Sequence, residues 1–177
     1  MPDPGADADP EAVARSVALR RLTVGPQTRA QLTQALRRRG VPDDASAAVL
    51  DRLAEVGLVD DAAFAGAWVE TRHAGRGLAR RALAHELRHR GVPDDLVDDA
   101  LDRLSPDEER ATALALVQAR LPATRRLAPL TRRRRLIGLL ARKGYPAGLA
   151  ASVVREALAA EEADVGWSGS GDDDPEV

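Results

Sequence analysis

The sequence predicts an all-α protein built from three tandem three-helix repeats that form an elongated, curved helical array. Three observations predict this fold: the composition, an internal repeat, and capping signals at regular places. Alanine occurs 34 times and leucine 23 times in 177 residues, and aromatic residues make up only 2%. Alanine and leucine favour helices, whereas strands favour aromatic and β-branched side chains. The composition therefore disfavours an all-β fold and a doubly wound sheet.

The internal repeat is visible at an offset of 51 residues. Residues 29–53 and 80–104 are identical at 14 of 25 positions, and both contain the run Gly-Val-Pro-Asp-Asp. A weaker third copy lies a further 53 residues along and matches the second at 7 of 25 positions. A unit of about fifty residues has too little apolar surface to stand alone, so neighbouring units are expected to stack.

Capping signals place the helices of the first repeat, which spans residues 11–57. Its first helix is expected near residues 11–23. Thr28 has the spacing of a capping box with Gln31 at the start of the second helix. Gly40 supplies the left-handed position that ends this helix, and the Pro that follows prevents its continuation.

The other two repeats follow the same order, with nine helices in all. The second repeat spans residues 58–104, with helices expected at about 60–73, 78–90 and 94–104. The third spans residues 105–160, with helices expected at about 106–121, 131–143 and 147–160. The acidic ends, residues 1–10 and 161–177, are expected to be disordered tails.

Charge is segregated along the chain. Residues 1–10 have a net charge of -3, residues 161–177 have -7, and the body between them has +8. Of the 26 basic residues, 25 are arginine and only Lys143 is lysine. Base composition of the genome can raise arginine content, but it does not explain the segregation. A planar guanidinium suits phosphate and carboxylate, so the body is expected to bind a polyanionic or acidic partner.

Basic residues recur at equivalent positions of the repeats, which predicts a continuous basic stripe on the middle and last repeats. The alternative interpretation is a solvated surface on which many arginines pair with aspartate. Phe64 and Trp68, four residues apart on one helix, are interpreted as structural core anchors rather than as a base-stacking platform. The predicted partner-binding and nucleic-acid-binding residues are Arg72, Arg76, Arg80, Arg81, Arg88, Arg132, Arg133, Arg134, Arg135, Arg142 and Lys143.

Catalytic patterns are weak in this chain. His85 and His89 fit the spacing H-E-x-x-H of zinc proteases. On a helical wheel His85 lies about 200° and His89 about 240° from Leu83, however, so both are expected to face solvent without a metal. The chain has no cysteine, no plausible base for a serine nucleophile and no apolar run long enough to span a bilayer. No enzymatic activity, cofactor, metal or membrane partner is expected.

The residues around Gly57 carry a family resemblance. The sequence GLVDDAAFA begins at Gly57 and is followed by Trp68-Val69, Arg72, Gly77, Glu86-Leu87 and Gly91-Val92. This pattern resembles the bacterial RecX family of recombination regulators over about residues 13–160. The family usually has proline after the glycine of its R-G-P turn, where this chain has Leu78.

The resemblance implies a non-enzymatic modulator of the RecA recombinase. Such proteins bind the RecA–single-stranded DNA filament and mostly inhibit filament growth, ATP hydrolysis, strand exchange and co-protease action in DNA repair and the SOS response. A cytoplasmic monomer is expected. One alternative is a transcription regulator, because residues 28–61 also resemble half of a winged helix. Against it, no strand-forming wing follows Asp61, and the same unit recurs in the second copy. The other alternative is a repeat that serves only as a scaffold.

Overall fold

The computed structural model describes residues 9–167, which form ten α-helices and contain no strand. The prediction of an all-α fold is confirmed. One helix was not predicted: the chain makes an additional helix of four residues at Pro122 instead of a simple stop. The helices are α1 (Pro10–Val24), α2 (Arg29–Arg38), α3 (Asp43–Glu55), α4 (Asp61–Arg76), α5 (Arg80–His89), α6 (Asp94–Asp102), α7 (Pro106–Gln118), α8 (Leu121–Thr124), α9 (Pro129–Arg142) and α10 (Ala147–Trp167).

Two reciprocal capping boxes fix the starts of α2 and α7. The Thr28 hydroxyl accepts from the backbone N–H of Gln31 at 3.1 Å, and the Gln31 side chain accepts from the N–H of Thr28 at 3.0 Å. Ser105 and Glu108 make the same pair of bonds at 3.1 and 2.9 Å. Each box satisfies two N–H groups that the helix itself leaves unbonded. The capping box at Thr28 matches the sequence prediction.

The last helix is longer than predicted. Helix α10 continues to Trp167, so the prediction of a disordered tail from residue 161 is wrong for residues 161–167. At the start of this extension, the Glu161 carboxylate forms ion pairs with Arg125 and Arg132. Of the predicted tail at residues 1–10, Asp9 caps α1 and Pro10 begins it. Residues 1–8 and 168–177 lie outside the described residues.

The described chain divides into two compact units. The first unit consists of the described part of Met1–Thr71 together with Ala84–Arg103. Its main core packs α1 against α2 and α3 and buries Ala14, Val17, Ala18, Leu32, Leu36, Val41, Val49, Leu50, Leu53 and Val59. Burying each leucine stabilises the fold by roughly 1.5–3 kcal/mol relative to leaving it exposed.

The second unit consists of Arg72–Leu83 and the described residues from Leu104 onward. Its core packs α7, α9 and α10 and buries Ala79, Ala113, Val117, Leu121, Leu136, Leu140, Tyr145, Ala150, Val153, Val154 and Ala157. The Tyr145 hydroxyl donates to the Gly77 carbonyl at 3.1 Å, and burial raises the pKa of Tyr145 to about 12. No helix of the described chain is both long and apolar enough to cross a membrane.

Inside the first unit, two hydrogen bonds join the first repeat to the second. The Thr28 hydroxyl donates to the Arg90 carbonyl at 2.7 Å. The backbone N–H of Arg29 donates to the Asp61 carboxylate at 2.8 Å. The carboxylate thus satisfies a free N–H at the positive end of α2, where negative charge is favourable.

Inside the second unit, an equivalent pair of hydrogen bonds joins the second repeat to the third. We name each such pair of hydrogen bonds between repeats a joint. The backbone N–H of Ala79 donates to the Lys143 carbonyl at 2.9 Å. The N–H of Arg80 donates to the buried Glu109 carboxylate at 2.9 Å. Ala79 and Arg80 lie 51 residues after Thr28 and Arg29, so a backbone donor replaces the hydroxyl and a glutamate replaces the aspartate.

At each joint, a glycine lets the backbones of the two repeats approach closely. Gly91 and Gly144 both have positive φ angles, of 75° and 91°. A β-carbon at Gly91 would lie 2.3 Å from that of Ala30, and one at Gly144 would lie 2.7 Å from that of Ala82. A larger residue at either position would therefore face both backbone strain and a steric clash. The repeat pattern in the sequence thus encodes a repeated packing contact.

Candidate functional site

The histidine pair on α5 is exposed, as its helical phase predicts. The side chains of His85 and His89 both face solvent. Within residues 9–167, no group of three or more His, Cys, Asp or Glu side chains could hold a metal ion. The third histidine, His73, is half-buried, and its ring lies 2.9 Å from both the Leu78 carbonyl and the Thr112 hydroxyl. Its two ring nitrogens are therefore occupied by structural hydrogen bonds.

One predicted binding residue, Arg88, takes part in a repeated ion pair. Its Nε donates to Asp94 at 2.6 Å, and its Nη2 lies 3.9 Å from Asp98. In the first repeat, Arg37 bonds Asp43 in the same way at 2.9 Å. The hydrogen bond and charge of Arg37 lower the pKa of Asp43 below its ordinary value. In both repeats an adjacent carboxylate compensates the arginine, so Arg88 offers little free charge.

A second predicted residue, Arg132, is committed to the interior. Its side chain is only 15% exposed and forms an ion pair with Glu161. Its Nε also donates to the Thr124 hydroxyl at 3.1 Å, and its Nη2 donates to the Leu121 carbonyl at 3.3 Å. Hydrogen bonds from Arg125 and Arg132 lower the pKa of Glu161. Arg132 therefore ties α8 and α9 to α10 and serves the fold.

Four further predicted residues lie around the joint of the second unit. Lys143 is half-buried, and its ammonium donates to the Arg76 carbonyl at 2.5 Å. Arg72 and Arg80 are also half-buried, whereas the Arg76 side chain is exposed. Arg72, Arg76 and Arg80 each have a further interaction partner within the chain.

The remaining predicted residues carry the exposed charge. Counting only the residues that the structure describes, none of these five arginines makes an ion pair, and all five are exposed: Arg81, Arg133, Arg134, Arg135 and Arg142. Arg135 and Arg142, both from α9, line one groove of about 260 Å³. We name it the third-repeat groove.

Arg120 also lines the third-repeat groove, and the sequence analysis did not identify it. It lies between α7 and α8, where the third copy diverges from the repeat, so no repeat-equivalent arginine pointed to it. The lining contains three arginines and no carboxylate. Guanidinium groups of this kind bind phosphate or carboxylate oxygens through two parallel hydrogen bonds.

The aromatic pair on α4 lies outside the core. Phe64 and Trp68 are both half-buried, and their rings stack with centroids 5.6 Å apart and an angle of 14°. The Arg90 guanidinium lies 3.8 Å from the centre of the Trp68 ring, and the indole N–H donates to Glu86 at 2.9 Å. The sequence predicts buried rings, whereas the structure leaves both rings half-buried, with Arg90 and Glu86 in contact with Trp68. The pair anchors α4 through stacking and a cation–π contact.

Three family models match successive parts of this chain. Residues 14–53 match the first three-helix domain of RecX, residues 60–101 match the second, and residues 107–154 match the third. Together these segments cover more than half of the chain. The chain belongs to the RecX family.

Relatives with the name "Regulatory protein RecX" match nearly the whole chain. The protein of Thermobifida fusca is 61% identical over 165 residues, which cover 92% of this chain and 89% of the relative. The protein of Streptomyces coelicolor is 54% identical over 156 residues, which cover 88% of this chain and 83% of the relative.

Solved RecX structures share the fold. The crystal structure of RecX from Lactobacillus salivarius superposes with a TM-score of 0.78 at 17% identity, covering 84% of this chain and 97% of that one. A second crystal structure, of a regulatory protein RecX, has a TM-score of 0.73 at 22% identity and covers 84% of this chain and 72% of that one. At these identities the likeness concerns the arrangement of helices.

Proposed function

We propose that this RecX-family chain is a non-enzymatic regulator that binds the filament of RecA on single-stranded DNA and mostly inhibits it. The affected steps are filament growth, ATP hydrolysis, strand exchange and co-protease action, in DNA repair and the SOS response. Membership of the RecX family supports this proposal, as do relatives of 61% and 54% identity that are named regulatory proteins. The chain acts as a monomer in the cytoplasm, where its two partners are.

The observation that carries the proposal is the uncompensated positive charge of the second unit. Arg81, the arginines at 133–135 and Arg142 are exposed and make no ion pair with any described side chain. A filament of protein and DNA presents phosphates and acidic side chains, which are the partners that guanidinium groups prefer. Contacts of this kind are independent of base sequence and weaken as salt rises.

Within the proposed binding surface, the contributions of individual residues differ. The third-repeat groove, with Arg120, Arg135 and Arg142, supplies the main contacts, and the exposed arginines at 81, 133 and 134 extend it. Arg72, Arg76, Arg80 and Lys143 border the surface. Arg88 and Arg132 contribute less because acidic partners already hold them. Several modest contacts on one chain add through effective concentration.

The rival proposal is a winged-helix transcription regulator. It requires a strand hairpin after the helix pair α2–α3. In this chain the next element after that pair is α4, which begins at Asp61. The geometry therefore favours the filament regulator.

The direct test is the steady-state ATPase rate of RecA on single-stranded DNA, titrated with the purified chain. We expect the rate to fall as the chain is added, and the fall to be weaker at higher salt. An unchanged rate, together with RecA-independent binding of one defined duplex sequence, would contradict the proposal and support the transcription regulator.

A further inference from the structure

A second arginine groove lies in the first unit, between α1 and α2. Two arginines from each helix line it: Arg20 and Arg21 from α1, and Arg38 and Arg39 from the end of α2. The groove has a volume of about 350 Å³, and its lining contains two glutamines, a valine, an alanine and no carboxylate. We name it the first-repeat groove.

The four arginines of the first-repeat groove are uncompensated. All four are exposed, and none forms an ion pair with any residue from 9 to 167. A larger groove of about 560 Å³ in the same unit is also lined by arginines. There, however, Arg29 pairs with Asp51, and Arg37 and Arg88 pair with their aspartates. Free positive charge therefore distinguishes the smaller groove from the larger one.

Stabilisation of the helix C-termini explains only some of the arginines in the first-repeat groove. A basic side chain near a helix C-terminus interacts favourably with the helix dipole, which accounts for an arginine at the end of each helix. It does not account for two arginines from each of two helices lining one groove. Four like charges this close repel each other, and nothing in the lining offsets the repulsion. A bound anion would offset it.

We propose that the first-repeat groove binds the sugar–phosphate backbone of a nucleic acid, and that it does so in the absence of recombinase. Arginines on both walls can grip successive phosphates through paired hydrogen bonds, and the amide of Gln34 adds a neutral donor. The groove contains no aromatic ring, so binding does not depend on base stacking. The proposal deepens the proposed function by giving the regulator its own contact with DNA.

An acidic protein surface is the other ligand class to consider. Protein interfaces usually have an apolar core enriched in aromatic side chains. The apolar part of this groove consists only of Val17 and Ala35. The chain as a whole has a net charge of -2, so any binding to nucleic acid must come from a local basic surface such as this one.

The test measures the binding of a fluorescent oligothymidylate of about 30 nucleotides by anisotropy, with the full chain and no recombinase. The groove variant carries Arg20→Gln, Arg21→Gln, Arg38→Gln and Arg39→Gln. The matched control carries Arg15→Gln, Arg103→Gln, Arg126→Gln and Arg155→Gln, which removes the same charge at exposed sites outside the groove. Circular dichroism checks that both variants are folded.

We expect the groove variant to bind at least about tenfold more weakly at about 50 mM salt, and the control to change by less than about twofold. Four lost phosphate contacts should also reduce the slope of log affinity against log salt by about 3. A mixed-sequence oligonucleotide should bind as well as oligothymidylate.

Equal losses in the two variants, or no loss in the groove variant, would overturn the proposal. So would an absence of binding by the unmodified chain. Retained oligonucleotide affinity with lost binding to DNA-free RecA would assign the groove to a protein surface instead. Because the anisotropy assay contains no RecA, its failure leaves the ATPase test of the proposed function independent.

Discussion

The first two repeats and the third repeat use arginine differently. In each of the first two repeats, an arginine in the last turn of the second helix forms an ion pair with the aspartate that begins the third helix. The pairs are Arg37 with Asp43, and Arg88 with Asp94. At the equivalent positions, 53 residues further on, the third repeat has Ala141 and Ala147. The neighbouring arginines of α9 at 135 and 142 line a groove without a carboxylate.

The difference shows that the number of arginines does not measure the charge available to a partner. Where the repeat retains its aspartate, the arginine is neutralised within the chain. Where the third repeat lacks both members of this pair, arginines at other positions of α9, Arg135 and Arg142, keep their positive charge for a ligand. Exposed ion pairs stabilise proteins only weakly, so keeping or losing the pair costs the fold little and changes the surface considerably.

The largest expected effect is on stability and concerns the two joints between repeats. The joint of the first unit and that of the second should respond alike. Gly91→Ala and Gly144→Ala should each lower the free energy of unfolding by about 3 kcal/mol, from left-handed strain of roughly 1 kcal/mol plus overpacking. Gly40→Ala is the matched control, because Gly40 has a similar φ of 79° with nothing within 4 Å of its β-carbon position. It should cost only the strain, about 1 kcal/mol. Urea unfolding measures all three, and equal costs would show that the joints are loose.

A smaller effect on stability is expected at Arg132, the largely buried arginine of α9. Arg132→Ala should destabilise the chain by about 2 kcal/mol, because it removes charge-assisted hydrogen bonds in a largely buried site. Arg133→Ala, its exposed neighbour, should change stability by less than about 0.5 kcal/mol. Urea unfolding curves of the two variants compare the internal and external arginines directly. Similar costs would contradict the separation between them.

The pH dependence of stability tests the ion pairs that Glu161 forms with Arg125 and Arg132. Arg125 and Arg132 lower its folded-state pKa below the unfolded value of about 4.3. The ionised carboxylate therefore stabilises the fold above that value, and this contribution is lost as pH falls through the folded-state pKa. Glu161→Gln should be less stable than the natural chain at neutral pH, and the difference should disappear on acidification. A constant difference between pH 7 and about pH 3 would mean that the ion pairs contribute nothing.

Local signals in the sequence predicted most of the fold. The repeat offset, the two capping boxes and the helix-ending glycines depend on neighbouring residues, so they were readable without the structure. The extension of α10 was not, because Glu161, at the start of that extension, contacts arginines about 30 residues earlier in the chain. The burial of Trp68 was overestimated for a similar reason: Arg90 lies over its ring across a long stretch of chain.

The binding surface was only partly predictable. The sequence located the arginines of α9. It could not separate paired from unpaired arginines, since pairing depends on which carboxylates lie within hydrogen-bond distance. Arg120 was missed because it belongs to no repeated basic position. The first-repeat groove was missed because only the folded chain brings Arg20 and Arg21 of α1 beside Arg38 and Arg39. The sequence gives the positions of the arginines, and the structure shows which of them pair with a carboxylate.

The central claim is that the unpaired arginines of the third repeat bind the RecA filament and the paired ones do not. The most direct test compares two double variants in the RecA ATPase assay on single-stranded DNA. Arg135→Gln with Arg142→Gln removes two unpaired charges, and Arg37→Gln with Arg88→Gln removes two paired ones. The first should raise the concentration needed for half-maximal inhibition about tenfold, and the second should change it by less than about twofold. An equal shift in both variants, or a larger one in the second, would contradict the account.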